Sequence, residues 1–165
     1  MKQLRKQVKQ ALTCEIELTQ GKFAIVDSED FEKLNEHKWH YLGGYARRRH
    51  SPKECWFMHW YIVGKPKNGF ETDHINGNTL DNRKCNLRIC TARENQQNSK
   101  KRKNNTSGYK GVDYKKSHKK WRVLIMANNK RIHLGYFDTP KQAAKAYNNG
   151  AKKYYKEFAR PNTIV

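Results

Sequence analysis

A polar segment at residues 96–107 divides this sequence into two parts. It consists of QQNSKKRKNNTS, without one apolar side chain, so it cannot contribute to a hydrophobic core and is typical of a linker. Because only 36% of the 165 residues are hydrophobic, each part must have a small core. We predict a first domain at residues 1–98, a linker at 99–107 and a second domain at 108–165. The linker is either a solvated tether or a segment that lies along phosphates.

The chain is strongly basic, with 35 Lys and Arg residues against 15 Asp and Glu and a net charge of +20. Charge on this scale repels itself in a compact state, which favours a polyanionic partner; a membrane surface is the alternative. No run of about 18 apolar residues could span a bilayer, and the basic start at residues 1–10 lacks the apolar region of a signal peptide. We expect a soluble, intracellular protein with no membrane partner.

The cysteines stand at positions 14, 55, 85 and 90, without the Cys-x-x-Cys spacing of structural zinc sites. Reduced, buried thiols are the favoured interpretation for an intracellular chain. A zinc site built on Cys85, Cys90 and a nearby histidine is the less favoured alternative, so zinc is not expected.

Turn signals in the first part predict two β-hairpins. The first turns at Gln20-Gly21, and Ser28 is expected to cap a short helix after it. The second turns at Gly43-Gly44 and carries a basic return strand. Its candidate contacts to a nucleic-acid backbone are Arg47, Arg48 and Arg49.

Residues 73–95 are rich in carboxylate, imidazole and carboxamide groups. A strand is expected to end near His74, and a return strand to cover residues 87–90. The capping box Thr91-Ala92-Arg93-Glu94 then predicts the start of a helix, because the side chain of Thr91 and that of Glu94 satisfy each other's backbone donors.

This segment has the groups that hydrolysis of a phosphodiester needs. The neutral imidazole of His74 can act as a base near pH 7. Asp73 and Asn95 offer oxygen ligands for Mg²⁺ or Mn²⁺, which needs few protein ligands. Asn86 can accept a hydrogen bond from the other ring nitrogen of His74 and fix its tautomer. The residues alone leave a second interpretation equally open, an Asn-rich loop held by side-chain turns with His74 at the surface.

The second part predicts three antiparallel strands and one helix. The strands fall near residues 112–114, 121–126 and 131–137, with a turn at Asn128-Asn129 between the last two. The helix begins at Thr139-Pro140 with a capping box and a proline in its first turn. Strand parity leaves one face without a helix. That face carries Arg122, Leu124, Met126, Arg131 and His133. Its apolar residues favour an interface in the DNA major groove; a solvated face is the alternative.

The pattern D-H-I-N-G-N-x-x-D-N-R-x-x-N-L-R-x-x-T-x-x-x-N-x-x-N resembles the HNH endonucleases, in the H-N-N variant common among phage and intron-encoded homing enzymes. The match covers roughly residues 57–98. The resemblance implies a ββα-metal fold, with Asp73 and Asn95 as metal ligands, His74 as general base and Asn86 as its holder. His59 resembles an upstream histidine of the family, although Trp60 follows it in place of arginine. Arg88 is a further candidate DNA contact.

Residues 108–162 contain Gly-Tyr-Lys-Gly-Val, His-Leu-Gly-Tyr-Phe and Ala-Ala-x-Ala-Tyr and resemble the apetala/ethylene-response-factor DNA-binding domains. That resemblance implies that the uncovered sheet face contacts DNA. Asp113, Leu124 and Met126 stand where plant members have charged residues, so the plant target is not expected. The predicted DNA contacts of the linker and second part are Lys100, Lys101, Arg102, Lys103, Lys110, Lys115, Arg122, Arg131 and His133.

Together these features predict an α+β protein, with N-terminal β-hairpins leading into a ββα-metal nuclease motif, then a three-stranded antiparallel sheet packed on one helix. The predicted activity is metal-dependent cleavage of double-stranded DNA, of homing or phage type, in a bacterial or phage-infected cell. A homodimer is expected if both strands are cut. The alternatives are a non-catalytic DNA-binding regulator on a nuclease scaffold and a basic protein that coats nucleic acid.

Overall fold

The computed structural model describes residues 12–164, and residues 1–11 and 165 lie outside the described part. The chain separates into two compact units that divide between Cys90 and Thr91, and each is described by itself. Both combine helices with small sheets, so the mixed α and β class predicted from the sequence is confirmed. No described helix is long and apolar enough to cross a membrane.

The first unit consists of three small sheets and two short helices in its described part. Its elements are β1 Thr13–Leu18, β2 Lys22–Asp27, α1 Ser28–Asn35, β3 His40–Leu42, β4 Tyr45–Ser51, β5 Glu54–Phe57, α2 Met58–Val63, β6 Phe70–His74 and β7 Leu87–Thr91. Both predicted hairpins are present, as β1–β2 and β3–β4. Strand β5 and helix α2 lie in an aromatic run that the sequence left unassigned.

The first hairpin alternates buried and exposed residues, as a sheet with one wet face requires. Ile16 and Leu18 point into a core with Leu34 and Met58. Helix α1 has Asp27 in the capping position, so the predicted cap at Ser28 is wrong by one residue. The carboxylate of Asp27 makes no capping hydrogen bond to the helix and accepts the backbone N–H of Lys84 at 2.7 Å.

Strand β6 ends at His74, as predicted, and pairs with β7 in a two-stranded sheet. The loop between them is braced by β2. The backbone N–H of Ile25 donates to the carbonyl of Leu80 at 2.8 Å, and the carbonyl of Ile25 accepts from the N–H of Asn82 at 2.7 Å. The N-terminal hairpin therefore supports this loop, residues 75–86, which we call the polar loop, through main-chain hydrogen bonds.

The second unit contains α3 Ala92–Asn98, β8 Val112–Lys115, β9 Lys120–Ala127, β10 Lys130–Phe137 and α4 Pro140–Tyr155. The three strands form an antiparallel sheet in the order β10-β9-β8. Both predicted capping boxes, at Thr91 and Thr139, are present. Asn128 and Asn129 adopt positive φ values of 48° and 60° in the predicted turn.

Strand parity in the second unit is also confirmed. Val123 and Ile125 are buried with Tyr147 and Ala151 of helix α4. Helix α4 stops at Tyr155, which is buried, and Lys156 turns the backbone to a φ of 50°.

The linker is held more firmly than a solvated tether. The hydroxyl of Ser107 lies 2.8 Å from the carbonyl of Val112 and 2.9 Å from that of Tyr109. The carboxamide of Asn105 donates to the same Tyr109 carbonyl at 2.9 Å. Asn105 and Ser107 therefore attach the end of the linker to the lead into β8.

Candidate functional site

His74 lies at the end of β6 with only 4% of its surface exposed, so it is not the surface histidine of the alternative interpretation. Its ring centroid is 5.1 Å from that of His59 and 6.1 Å from that of Tyr45. Burial lowers the pKa of His74, against the opposing effects of Asn82, Asp73 and Asp81. The ring is therefore neutral near pH 7, as a general base must be.

The tautomer of His74 follows from the orientation of Asn82. The Nδ2 of Asn82 donates to the carbonyl of Leu80 at 3.3 Å, and this contact requires the NH₂ end of the amide. The other end, Oδ1, therefore faces the Nε2 of His74 at 3.3 Å. Because Oδ1 can only accept, Nε2 carries the proton and Nδ1 carries the basic lone pair.

Asn86, to which the sequence assigned this contact, is bonded elsewhere. Its Oδ1 accepts the backbone N–H of Asn76 at 2.8 Å, and its Nδ2 donates to the carbonyl of Asp81 at 2.7 Å. Asn86 thus closes the polar loop from inside, and Asn82 takes the predicted position against His74. No local signal distinguishes the two asparagines, because the choice depends on how the loop folds.

Asp81 is a further structural residue of the loop that the sequence did not single out. Its carboxylate accepts from Nε and Nη2 of Arg83, each at 2.7 Å, and from the amide of Asn76 at 2.7 Å. Arg83, followed by Asn76, holds the pKa of Asp81 below its ordinary value despite burial. Asp81 is therefore ionised at neutral pH and braces the loop that carries Asn82.

Asp73 is 4% exposed and forms an ion pair with Arg88, whose Nε and Nη2 donate to Oδ2 at 2.8 and 2.6 Å. Arg88, predicted as a DNA contact, is engaged with this carboxylate. No cluster of three or more His, Cys, Asp or Glu suited to a metal occurs in the described part. One buried carboxylate still fits a hard cation such as Mg²⁺, because this ion takes few protein ligands and keeps water and phosphate oxygens.

His59 lies beside His74 and is also buried. Burial, then the charges of His74 and Arg47, lowers the pKa of His59 to about 3. Its ring stacks on Phe57 with centroids 4.9 Å apart. His59 is therefore a neutral wall of the site at all physiological pH values. Asn95, the other predicted metal ligand, lies in α3 and belongs to the second unit.

On the uncovered sheet face of the second unit, one of the predicted DNA contacts already has a partner within the chain. Arg122 donates to both carboxylate oxygens of Asp113, at 3.2 and 2.8 Å. Met126 is 48% exposed and lies opposite Arg131 across the sheet. A bulge between His133 and Gly135 brings Tyr136 to the same face. Sequence parity missed Tyr136 because an added residue reverses the alternation.

Lys110 is directed toward the chain itself. Its ammonium donates to the carbonyls of Gln97 and Ser99, both at 2.6 Å, so the predicted DNA contact would compete with these bonds. Burial, and secondarily Arg160, lowers the pKa of Lys110 to about 8. Beside it lies a basic groove of about 530 Å³. Its cationic lining residues are Arg93, Lys100, Lys101, Arg102 and Lys110.

Comparison with known proteins identifies both parts of the chain. Residues 60–97 match the HNH endonuclease family, and residues 107–157 match the AP2 domain family. An uncharacterized HNH endonuclease of Acanthamoeba polyphaga mimivirus is 33% identical over 149 residues, covering 87% of this chain and 76% of that protein. Protein 3.8 of Escherichia phage T7 is 34% identical over 102 residues, covering 61% of this chain and 84% of that protein. No solved structure matches significantly.

The two matches define a nuclease that also carries an AP2-like DNA-binding domain. The chain belongs to the HNH endonuclease family. The predicted enzyme class and DNA partner are thereby confirmed, and the non-catalytic regulator is not favoured. Nucleases of this family generally use a divalent metal.

Proposed function

We propose that this endonuclease is metal-dependent and site-preferring, of homing or phage type, with His74 as its general base. The observation that carries the proposal is a buried, neutral His74 whose proton is held on Nε2 by Asn82, beside the buried carboxylate of Asp73. A base with a fixed tautomer needs no rearrangement before it accepts a proton.

In the proposed reaction, Nδ1 of His74 takes a proton from water while the water oxygen attacks phosphorus. The bond from phosphorus to the leaving oxygen breaks, and that oxygen takes a proton from solvent. Asp73 and Asn95 would hold Mg²⁺ or Mn²⁺ in a ββα-metal arrangement, and this ion supplies charge neutralisation at the phosphate. Asn86 acts indirectly, by closing the loop that positions His74.

The proposed division of labour assigns cutting to residues 1–98 and target choice to residues 108–165, joined by the linker at 99–107. By packing, α3 belongs to the second unit, although its sequence completes the nuclease motif. Phosphate contacts by lysines and arginines would give binding that weakens steeply with salt. A homodimer is proposed only for double-strand cleavage, because one site attacks one strand.

The test uses a plasmid pool that carries randomised inserts, since a site preference could hide activity on a single plasmid. We expect nicked or linear product with Mg²⁺ or Mn²⁺ and none with chelator. His74→Ala should abolish cleavage and leave DNA binding near the wild-type level, as measured by gel shift. Full activity of His74→Ala would refute the base assignment, and cleavage in chelator would refute metal dependence.

A further inference from the structure

Arg47 of strand β4 is a half-buried cation whose hydrogen-bonding capacity is not used by the described part of the chain. Its Cζ lies 4.1 Å from the ring centroid of Phe57 and 5.7 Å from that of Tyr45. Its Nε is buried and donates to no acceptor among residues 12–164. A buried donor without an acceptor is uncommon in proteins and calls for an explanation.

Three other buried or half-buried arginines of the chain are each satisfied by an aspartate. Arg83 pairs with Asp81, Arg88 with Asp73, and Arg122 with Asp113. In the described part of the chain, neither Arg47 nor the half-buried Arg48 has a carboxylate partner of this kind. Arg48 lies over Tyr61, whereas Arg47 lies over Phe57 and Tyr45. A guanidinium held over an aromatic ring, without a carboxylate partner, is suited to bind an oxyanion such as phosphate.

The rings that hold Arg47 also form the wall of the His74 site. Phe57 stacks on His59, and Tyr45 lies 6.0 Å from His59 and 6.1 Å from His74, measured between ring centroids. The guanidinium and the proposed base therefore flank the same tyrosine ring. The Cζ of Arg47 and the ring centroid of His74 are therefore no more than about 12 Å apart, which is compatible with the roughly 10 Å that a chain of imidazole, water, phosphate and guanidinium spans.

The backbone around Arg47 is attached to the same loop that positions His74. Strand β4 follows the turn at Gly43-Gly44, and the hydroxyl of Thr79 in the loop donates to the carbonyl of Gly44. A Cβ on Gly43 would lie at an ordinary contact distance, 3.6 Å, from Nη2 of Arg47, so the guanidinium lies beside this turn. The turn before Arg47 and the loop after His74 are thus joined by a hydrogen bond within the first unit.

We propose that Arg47 binds a nonbridging oxygen of the DNA phosphate that is attacked at His74. This inference rests on the proposed function and adds a phosphate-binding residue to it. Arg47 would donate to the phosphate oxygen through its terminal Nη nitrogens and neutralise charge that increases as the water attacks. The role differs from the general backbone contact expected of Arg48 and Arg49, because it acts on the reacting group.

The test compares Arg47→Met with wild type in the full-length protein. Methionine keeps an unbranched apolar chain against Phe57 but removes the charge and the N–H. We expect kcat to fall about 100-fold with a smaller change in KM. Added methylguanidinium should restore part of the lost rate, against equal concentrations of potassium chloride. As a control, Lys53→Ala removes one exposed charge from the turn between β4 and β5 and should leave kcat unchanged.

A second measurement does not depend on cleavage. Titration of the wild-type protein with inorganic phosphate should shift the ¹⁵Nε–H resonance of Arg47, and this readout stands even if Arg47→Met fails to fold. Wild-type kcat in Arg47→Met, or an Arg47 resonance that does not respond to phosphate, would overturn the proposal. Activity of His74→Ala would instead overturn the base assignment and leave the phosphate titration to decide the role of Arg47.

Discussion

Asn82 is the side chain that fixes the tautomer of His74 and so places the basic lone pair on Nδ1. It is 1% exposed and bonds to Leu80 and His74 through opposite ends of one carboxamide. Asn82→Leu removes both bonds at similar volume. We expect a 10- to 100-fold loss in single-turnover cleavage, roughly the effect of removing a partner that orients a histidine. DNA affinity should change little.

Nitrogen NMR of His74 distinguishes a loss of tautomer control from general loosening. In wild type we expect the signature of a ring protonated at Nε2, and in Asn82→Leu a mixture of the two tautomers. Asn86→Leu is the matched comparison, because it also opens the loop but has no hydrogen bond to the ring. An unchanged His74 spectrum in Asn82→Leu would contradict the assignment.

At the scale of elements, local signals in the sequence located helix starts and turns, although the cap at Ser28 was wrong by one residue and β5 and α2 were left unassigned. Capping boxes at Thr91 and Thr139, and the turn at Asn128-Asn129, involve neighbouring residues and were predicted correctly. The pairings Asn82–His74 and Arg88–Asp73 were not predictable, because each joins residues that only the folded loop and sheet bring together. Several asparagines and arginines in the motif were equally plausible partners on chemistry alone.

The lead into β8 passes unusually close to helix α4. A Cβ on Gly111 would lie 2.1 Å from a ring carbon of Tyr147, and Gly111 has a φ of +74°. We expect Gly111→Ala to destabilise the second unit by about 3 kcal/mol, because overpacking adds to backbone strain. Chemical denaturation followed by the NMR signals of the second unit measures this loss.

Gly108 provides a control with the same backbone conformation and no crowding. Its φ is +79°, and a Cβ there would meet nothing within 4 Å. Gly108→Ala should therefore cost only the backbone strain, about 1 kcal/mol. Equal losses in the two variants would show that the contact with Tyr147 does not matter.

Lys110 connects the end of α3 to the lead into β8, and its lowered pKa gives this connection a pH dependence. The charged ammonium is disfavoured in the folded state, so its cost is fully present below pH 8. Since the unfolded chain holds the proton to about pH 10.4, this cost is relieved as the pH rises between these values. A neutral amine still has two hydrogens for the two carbonyls.

We therefore expect the stability of wild type relative to Lys110→Met to increase from pH 8 to about pH 10. The ¹³Cε resonance of Lys110 should titrate near pH 8, well below that of exposed lysines. A Lys110 midpoint that coincides with the exposed lysines would exclude this explanation.

At the scale of the whole molecule, cutting and target choice should be separable in the intact chain. The double variant Arg131→Ala, His133→Ala changes the uncovered sheet face and leaves the nuclease motif untouched. We expect sequencing of cut ends to show a relaxed target preference while the total cleavage rate stays within about tenfold of wild type. An unchanged set of cut sites would argue against target choice by this face.

The main-chain hydrogen bonds of Ile25 with Leu80 and Asn82 mean that the nuclease motif cannot be transferred to another protein by itself. A graft of residues 57–98 into another scaffold would carry the recognisable signature but not the strand that completes its loop. The graft would leave one main-chain donor and one acceptor of the loop without their partners, next to the residue that orients the base. The smallest transferable cassette therefore starts at β1, well before the conspicuous motif.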